Sequence, residues 1–210
     1  METLARARLY AILDLGYIAP DRAEEAARAL LEGGADVLQL RGKEQPIAEL
    51  KALAEKLHPL TSAAGVPFVV NDHAEIVRDV PVEGLHLGQD DMTIGAARQI
   101  VRRECLIGKS THSLTQASAA MSEGADYIGF GPLFTTPTKP AYQPIGTGDI
   151  RRVSELVQLP IFCIGGIKRE NLGAVLNSGA TRVVIVSDLL QSADIAAATR
   201  EAKALLSTLN

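Results

Sequence analysis

The sequence has no tryptophan, few aromatic residues and only two cysteines. Aromatic residues make up 4% of its 210 residues, which argues against a protein that stacks single-stranded nucleic acid on aromatic side chains. Cys105 and Cys163 each lie in a short apolar run, a setting that favours buried thiols over a disulfide or a metal site. The chain lacks a long apolar run, and its first ten residues, METLARARLY, lack the apolar core of a secretory signal. We therefore expect a cytoplasmic protein that does not engage a membrane.

The chain also lacks an excess of positive charge. It carries 21 Lys and Arg residues against 25 Asp and Glu residues, a formal net charge of −4. A sequence-independent nucleic-acid binder needs a basic face, so we expect no nucleic-acid partner. The composition, 47% hydrophobic and 22% charged, is that of an ordinary globular protein.

Short apolar runs alternate with segments of helical periodicity along the whole chain. The runs predict strands that are buried on both faces, at residues 9–13, 37–40, 68–70, 84–87, 106–108, 127–130, 161–164 and 183–186. The periodic segments predict helices at residues 21–32, 47–63, 73–80, 93–103, 114–123, 149–157, 170–177 and 193–206. Eight strand–helix units with no linker predict an α/β protein, a single (β/α)8 TIM barrel in one domain, residues 1–210. A doubly wound open sheet is the alternative.

Three of the predicted helices end in a similar phrase before the next strand. The phrases are EGGAD at residues 32–36, SEGAD at 122–126 and NSGAT at 177–181. Glycine tolerates the positive φ with which many helices end, so the phrase predicts a repeated helix-to-strand turn.

A barrel places its chemistry at the carboxyl ends of the strands, and polar residues follow the second strand there. Gln39, Arg41 and Lys43 alternate along the chain, so we expect them to face the same side. An amide and two cations at a barrel mouth favour a polyanionic ligand. The alternative is a solvated loop with two surface bases.

Carboxylates follow the third and fourth strands. Asn71 and Asp72 come after one strand, and Asp90 and Asp91 after the next. These residues could simply cap the following helices. Alternatively, carboxylates at two adjacent strand ends could bind Mg²⁺, which commonly takes one or two protein carboxylates and completes its coordination shell with water and phosphate oxygens. His86 lies within an otherwise apolar strand, and we interpret it as a hydrogen-bonded residue of the barrel interior or rim.

The later strand ends carry hydroxyls and glycines. Ser113 fits a helix cap, whereas the role of Ser110 stays open. Residues 131–146 hold four prolines and three threonines, which predicts a long loop that covers a substrate, with a passive cover or an oligomer contact as alternatives. The pair Gly165–Gly166 after strand seven favours the approach of backbone N–H groups to a phosphate.

In chain order, the motifs QLRGK, ND, HLGQDD, STHS, GPLFTTPTK, IGGI and VVIVSD resemble those of thiamine phosphate synthases, from Leu9 to about Asp194. The resemblance implies a TIM-barrel transferase of thiamine biosynthesis that uses Mg²⁺. Its two small-molecule substrates would be a hydroxymethylpyrimidine diphosphate and a thiazole phosphate, and its products thiamine monophosphate and pyrophosphate. The oligomeric state is left open, with a homodimer as one option.

The resemblance also implies roles for individual residues. The implied substrate-binding residues are Gln39, Leu40, Arg41, Gly42, Lys43, Asn71, Ser110, Thr136, Pro137, Thr138, Lys139, Gly166, Val186 and Ser187. Four of them would be catalytic, namely Arg41, Lys43, Ser110 and Lys139. Asp72 and Asp91 would coordinate Mg²⁺. The chain departs from the family where Gly42 replaces a frequent acid and His73 a frequent arginine.

A related barrel, the TenI-like thiazole tautomerase, is the main rival. It would carry a histidine where this chain has Pro132 and would lack much of the diphosphate and metal set. A second rival is a barrel that binds thiamine precursors without catalysis and regulates a partner. A third is a phosphate-sugar barrel such as an epimerase.

Overall fold

Eight parallel strands close into a barrel, each paired with its neighbours in chain order and the first paired with the last. The structure, a computed structural model, describes residues 4, 6–102, 104–136 and 143–207. Strands β1 to β8 span Leu9–Asp14, Val37–Arg41, Phe68–Asn71, Gly84–Leu87, Leu106–Thr111, Tyr127–Phe130, Ile161–Cys163 and Val183–Ile185. All eight predicted strands are confirmed, and closure of the barrel excludes the open sheet. Several strands run further than predicted, because their last residues are polar and the prediction followed apolar runs.

Helices alternate with the strands and surround the barrel. Helices α1 to α9 span Ala23–Glu32, Ile47–Ala64, Ala74–Asp79, Ile94–Ile100, Leu114–Ser122, Ile150–Leu156, Arg169–Asn177, Ser187–Leu190 and Ile195–Ser207. The predicted helix at residues 93–103 is too long, because Val101 already has extended backbone (ψ 162°). Helix α8 was not predicted, since four residues are too few to establish a periodicity. None of the helices in the described ranges has both the length and the apolar character to cross a membrane.

The strands carry apolar side chains on both faces, which gives two packed layers. Along β1, Leu9, Ala11 and Leu13 pack outward against the helices, whereas Tyr10 and Ile12 pack inside the barrel. The inner layer also includes Val37, Val69, Tyr127, Phe162 and Val184. Because side chains alternate along a strand, polar residues an even number of positions after these inner ones also face the interior.

Gly108 on β5 makes room for the ring of Tyr127 in the inner layer. A Cβ atom at this position would lie 2.1 Å from Cζ of Tyr127. The Tyr127 ring therefore packs over Gly108 inside the barrel, where it meets the ring of Phe162 edge-on with centroids 5.8 Å apart.

The repeated helix-to-strand turn is confirmed. The glycine before the alanine of each phrase has positive φ: +90° at Gly34, +88° at Gly124 and +103° at Gly179. This conformation ends the helix at low cost only for glycine.

The aspartates of the first two turns also support the neighbouring strands. Oδ2 of Asp36 accepts from the backbone N–H of Leu9 at 2.9 Å, and Oδ2 of Asp126 accepts from that of Ile107 at 2.7 Å. Leu9 is the first residue of β1 and Ile107 the second of β5, and buried N–H groups at a strand start need such a partner. The third turn has Thr181 instead.

Candidate active site

A cavity opens at the carboxyl ends of the strands, where the fold predicts the chemistry. The space around its mouth, open solvent included, is about 760 Å³. Most of the predicted substrate residues whose position is described line this cavity: Gln39, Arg41, Asn71, Ser110, Thr136, Gly166, Val186 and Ser187. The barrel therefore brings together residues that are almost 150 positions apart in the chain.

Arg41 also borders a second cavity beside the first. This side cavity is lined by residues 14–17 and 41, and by residues 43–45. Lys43 therefore lies next to the main cavity rather than in its wall, and Arg41 stands between the two spaces. The two cations of strand β2 and its loop reach the barrel mouth from the same side, as their spacing predicted.

Two predicted substrate residues do not direct a side chain to the cavity. Leu40 is 1% exposed and packs in the outer apolar layer. Gly42 is buried, and a Cβ atom there would lie 2.6 Å from Leu50 and 2.8 Å from the side-chain oxygen of Gln45. For both residues only the backbone could contact a ligand. The acid that is frequent in the family at position 42 would displace Gln45 or Leu50 in this chain.

Three further predicted residues, Pro137, Thr138 and Lys139, lie outside the described residues. Thr136, the last described residue before them, lines the main cavity. The roles predicted for the three residues therefore stay predictions.

The carboxylates of Asp72 and Asp91 meet at the barrel rim. Asp72 follows β3 with φ +67°, and its N–H donates to the carbonyl of His86 at 2.8 Å. This left-handed residue turns the Asp72 side chain toward Lys43, whose Nζ donates to Oδ2 of Asp72. On the other side Asp72 is hydrogen-bonded to Asp91, which follows β4. A cation and two acids therefore converge from three successive strand ends.

The contact between the two carboxyl groups shifts their pKa values in opposite directions. Burial, together with the hydrogen bond to Asp91, raises the pKa of Asp72 above its ordinary value, although Lys43 opposes the shift. Burial would also raise the pKa of Asp91. Hydrogen bonds from Asp72 and from the N–H of Gly88, at 2.6 Å, outweigh this effect, so that the pKa of Asp91 is lowered. Asp72 is therefore the more readily protonated of the two acids.

The donor set of this pair fits Mg²⁺. Both side chains offer oxygen ligands, and Mg²⁺ commonly takes one or two carboxylates and completes its shell with water and phosphate oxygens. Within the described ranges, no group of three or more His, Cys, Asp or Glu side chains converges to enclose a metal. A fully protein-coordinated site such as a structural zinc site is therefore not formed by these residues.

The capping alternatives for these acids are wrong. The cap of α4 is Thr93, whose hydroxyl accepts from the N–H of Ala96 at 3.1 Å. Helix α3 begins after His73 and has no side-chain cap. In contrast, the predicted cap at Ser113 is confirmed, since its hydroxyl accepts from the N–H of Gln116.

A chain of hydrogen bonds crosses the barrel interior and connects Gln39 with Ser110. Gln39 donates from Nε2 to the hydroxyl of Tyr10 at 2.8 Å, and this hydroxyl lies 3.1 Å from that of Tyr127. His86 continues the chain, with Nδ1 3.2 Å from the Tyr127 hydroxyl and Nε2 3.0 Å from Oγ of Ser110. We call these five residues the interior chain. The prediction that His86 is a hydrogen-bonded interior residue is confirmed.

The interior chain fixes the cavity floor. Burial raises the pKa of both Tyr10 and Tyr127, so both phenols stay protonated and can donate. Gln39 on β2 and Ser110 on β5 are thereby held in defined orientations. Neither tyrosine was predicted to belong to the site. The sequence signal that could have identified them is that β1 and β6 each carry a tyrosine at an inward-facing position.

The loops after β7 and β8 complete the opposite wall. Gly166 has φ +64°, and a Cβ atom there would lie 2.7 Å from Cβ of Phe134. The predicted glycine pair is therefore required for packing against the loop after β6. Val186 and Ser187, where α8 begins, line the same wall. Pro132 also lines the cavity, so the position at which a tautomerase would carry histidine has no ionisable side chain.

Comparisons with known proteins agree with this geometry. A family model described as thiamine monophosphate synthase matches residues 9–189. A thiamine-phosphate synthase of Chloroflexus aurantiacus is 39% identical over 201 residues, which cover 95% of this chain and 93% of that protein. Another, from Methanospirillum hungatei, is 42% identical over 178 residues, 84% of this chain and 86% of that protein. The solved structure of a thiamine phosphate pyrophosphorylase from Pyrococcus furiosus superposes with a TM-score of 0.89 at 32% identity, over 99% of each chain.

Proposed function

The chain belongs to the thiamine monophosphate synthase family and is a transferase, and we propose that its barrel mouth joins a hydroxymethylpyrimidine diphosphate to a thiazole phosphate. The products are thiamine monophosphate and pyrophosphate. The observation that carries this assignment is the convergence of Lys43, Asp72 and Asp91 beside the cavity that holds Gln39, Arg41 and Ser110. The cations and a metal held by the acid pair would bind the diphosphate. The hydrogen-bonding residues of the cavity floor would bind the polar ring.

We propose that the two substrates occupy opposite walls of the cavity. The pyrimidine diphosphate lies on the side of β2 to β5, with Arg41, Lys43 and Asn71 on its phosphates and with Gln39 and Ser110 near its ring. The thiazole phosphate lies against Thr136, Gly166, Val186 and Ser187. This arrangement is supported by the grouping of these residues around one cavity.

The bond changes need no general base. The bond between the pyrimidine methylene carbon and the diphosphate oxygen breaks, and its electron pair leaves with pyrophosphate. The lone pair of the thiazole nitrogen forms the new C–N bond, so no proton moves. The protein's task is to stabilise charge on the departing group, and Arg41 and Lys43 are suitably charged donors for it.

We propose Mg²⁺ as the cofactor, held by Asp72 and Asp91. When bound, it would supply positive charge to the diphosphate oxygens and so favour their departure. The contact between the two acids supports this assignment, because a cation held between adjacent carboxylates would offset their mutual repulsion. Lys43, which contacts Asp72, would then be released toward the phosphates.

The test is a product assay on the full chain. Both substrates with Mg²⁺ should yield pyrophosphate and thiamine monophosphate in equal amounts, measured by a coupled phosphate assay and by chromatography. Omission of the thiazole phosphate should abolish thiamine monophosphate, and a chelator should abolish both products. Binding of both substrates without product would contradict the proposal and favour a non-catalytic barrel. Isomerisation of the thiazole alone would favour the tautomerase.

We further propose that residues 1–210 act as one domain in the cytoplasm, on small molecules only. The two cysteines are free thiols, as is usual in a reducing compartment.

A further inference from the structure

Asp14 is a buried carboxylate at the end of β1 that neither the sequence motifs nor the proposed reaction uses. It is 2% exposed, at the level of the barrel mouth. Its Oδ2 accepts from Nη1 of Arg41 at 2.5 Å, and its Oδ1 accepts from the N–H of Gly16 at 2.9 Å. Both oxygens of the carboxylate are therefore engaged.

The backbone holds Asp14 and Arg41 in register. They are direct partners in the pairing of β1 with β2, and the N–H of Leu15 donates to the carbonyl of Arg41 at 2.9 Å. The N–H of Tyr17 donates to the carbonyl of Asp14 at 3.0 Å. With its side chain also bonded two residues onward, Asp14 forms a tight turn and has little freedom to move.

Arg41 depends on this partner for its direction. Its side chain is 13% exposed and borders both the main cavity and the side cavity. In the part of the chain that the structure describes, Asp14 is the one group that hydrogen-bonds its guanidinium. An arginine has five N–H donors in a rigid fork. The hydrogen bond from Nη1 of Arg41 to Asp14 therefore also orients the other N–H donors of the guanidinium.

We infer that Asp14 is a positioning residue, which holds the guanidinium of Arg41 in the orientation that grips the diphosphate. The inference rests on the proposed function, in which Arg41 contacts that group. A fixed arginine needs no reorganisation when the anion arrives, and small misplacements of such groups cost large factors in rate. Without Asp14 the mostly buried guanidinium of Arg41 would turn toward solvent or into the side cavity.

Electrostatics alone makes the opposite prediction. The negative charge of Asp14 weakens the attraction of this region for an anion, so its removal should tighten binding of pyrophosphate. Positioning predicts weaker binding. The direction of the effect therefore separates the two influences.

The experiment measures the affinity of the full chain for pyrophosphate with Mg²⁺ by calorimetry. The variant Asp14→Asn keeps the size of the side chain and an acceptor for Gly16 but removes the charge. We expect binding about tenfold weaker, and a higher KM for the diphosphate substrate with no change in KM for the thiazole phosphate. In an Arg41→Met background, Asp14→Asn should cause no further loss.

Asp126→Asn is the matched control. It removes a similar aspartate–arginine pair, with Arg98, at the opposite end of the barrel, so pyrophosphate affinity should not change. Asp14→Ser is a second variant in case the first does not fold, and it must also weaken binding. Unchanged or tighter binding in a folded Asp14 variant, or full additivity with Arg41→Met, would overturn the inference. If Arg41→Met itself left pyrophosphate affinity unchanged, the proposed role of Arg41 would fail first.

Discussion

Replacement of Lys43 by methionine tests the diphosphate side of the site most directly. The change keeps most of the aliphatic stem but removes the ammonium group that contacts Asp72. A unit charge about 4 Å from a phosphate oxygen is worth about 4 kcal/mol at an effective dielectric constant near 20, and about 1 kcal/mol in bulk water. The Lys43 side chain is 48% exposed, so we expect a loss of about 1–2 kcal/mol, toward the screened limit.

This loss corresponds to a rise of about 5- to 30-fold in KM for the diphosphate substrate. The KM for the thiazole phosphate should not change, because that substrate is assigned to the opposite wall. Removal of Lys43 also leaves Asp72 without its cation, so affinity for Mg²⁺ in the absence of substrate should not fall. Steady-state pyrophosphate release, with each substrate and Mg²⁺ varied in turn, measures all three quantities.

Lys51→Met is a suitable control. Lys51 is 39% exposed and pairs with Asp79 on the outer helices, away from the cavity. The control should leave all kinetic constants unchanged. An unaltered KM for the diphosphate substrate in Lys43→Met would remove Lys43 from the site, and an equal loss for both substrates would indicate a general structural defect.

Three further predictions concern the metal, the barrel interior and the thiols. Asp91→Asn should raise the Mg²⁺ concentration needed for half-maximal rate while thiazole phosphate still binds by calorimetry; loss of both would indicate unfolding. Tyr127→Phe leaves Nδ1 of His86 without its hydroxyl partner and should cost about 1–3 kcal/mol of unfolding free energy in a urea titration, and an unchanged midpoint would contradict the interior chain. Burial raises the pKa of Cys105 from 9.0 to about 11 and that of Cys163 to about 12, so Ellman's reagent at pH 8 should label neither thiol until the protein is denatured. Because the folded pKa values are raised, unfolded thiols ionise first, and stability should fall as pH rises from about 9 toward 11 rather than increase.

The sequence predicted the eight strands because each is a short apolar run, and burial on both faces leaves little else at those positions. It also predicted the repeated turn, since glycine alone adopts its backbone conformation at low cost. The meeting of carboxylates from β3 and β4 was predicted from position, because parallel strands must end at one side of the barrel. The choice of Asp72 and Asp91 as metal ligands came from the family resemblance and stays a prediction. Helix α8 was missed, because it is too short for a periodic pattern. The prediction that Asp90 or Asp91 could cap α4 was wrong because Thr93 directly precedes that helix and caps it instead.

Pairings between distant residues could not be read from the chain. Gln39 and Ser110 are joined through Tyr10, Tyr127 and His86, and no local pattern relates a tyrosine on β1 to one on β6. A hydrogen bond depends on directions and separations of a few tenths of an ångström, which arise only when the barrel closes.

The amino-acid sequence by itself determined the order of strands and helices, the turns between them and the rim to which the polar residues belong, because these follow from short-range periodicity and backbone preference. Only the tertiary structure decided which rim residues touch. Closure of β1 against β2 gives Asp14 its contact with Arg41, and the left-handed backbone of Asp72 lets one carboxylate meet both Lys43 and Asp91. The burial and the pKa shifts of the site's acids depend on those contacts, and contacts between distant segments exist only in the closed barrel.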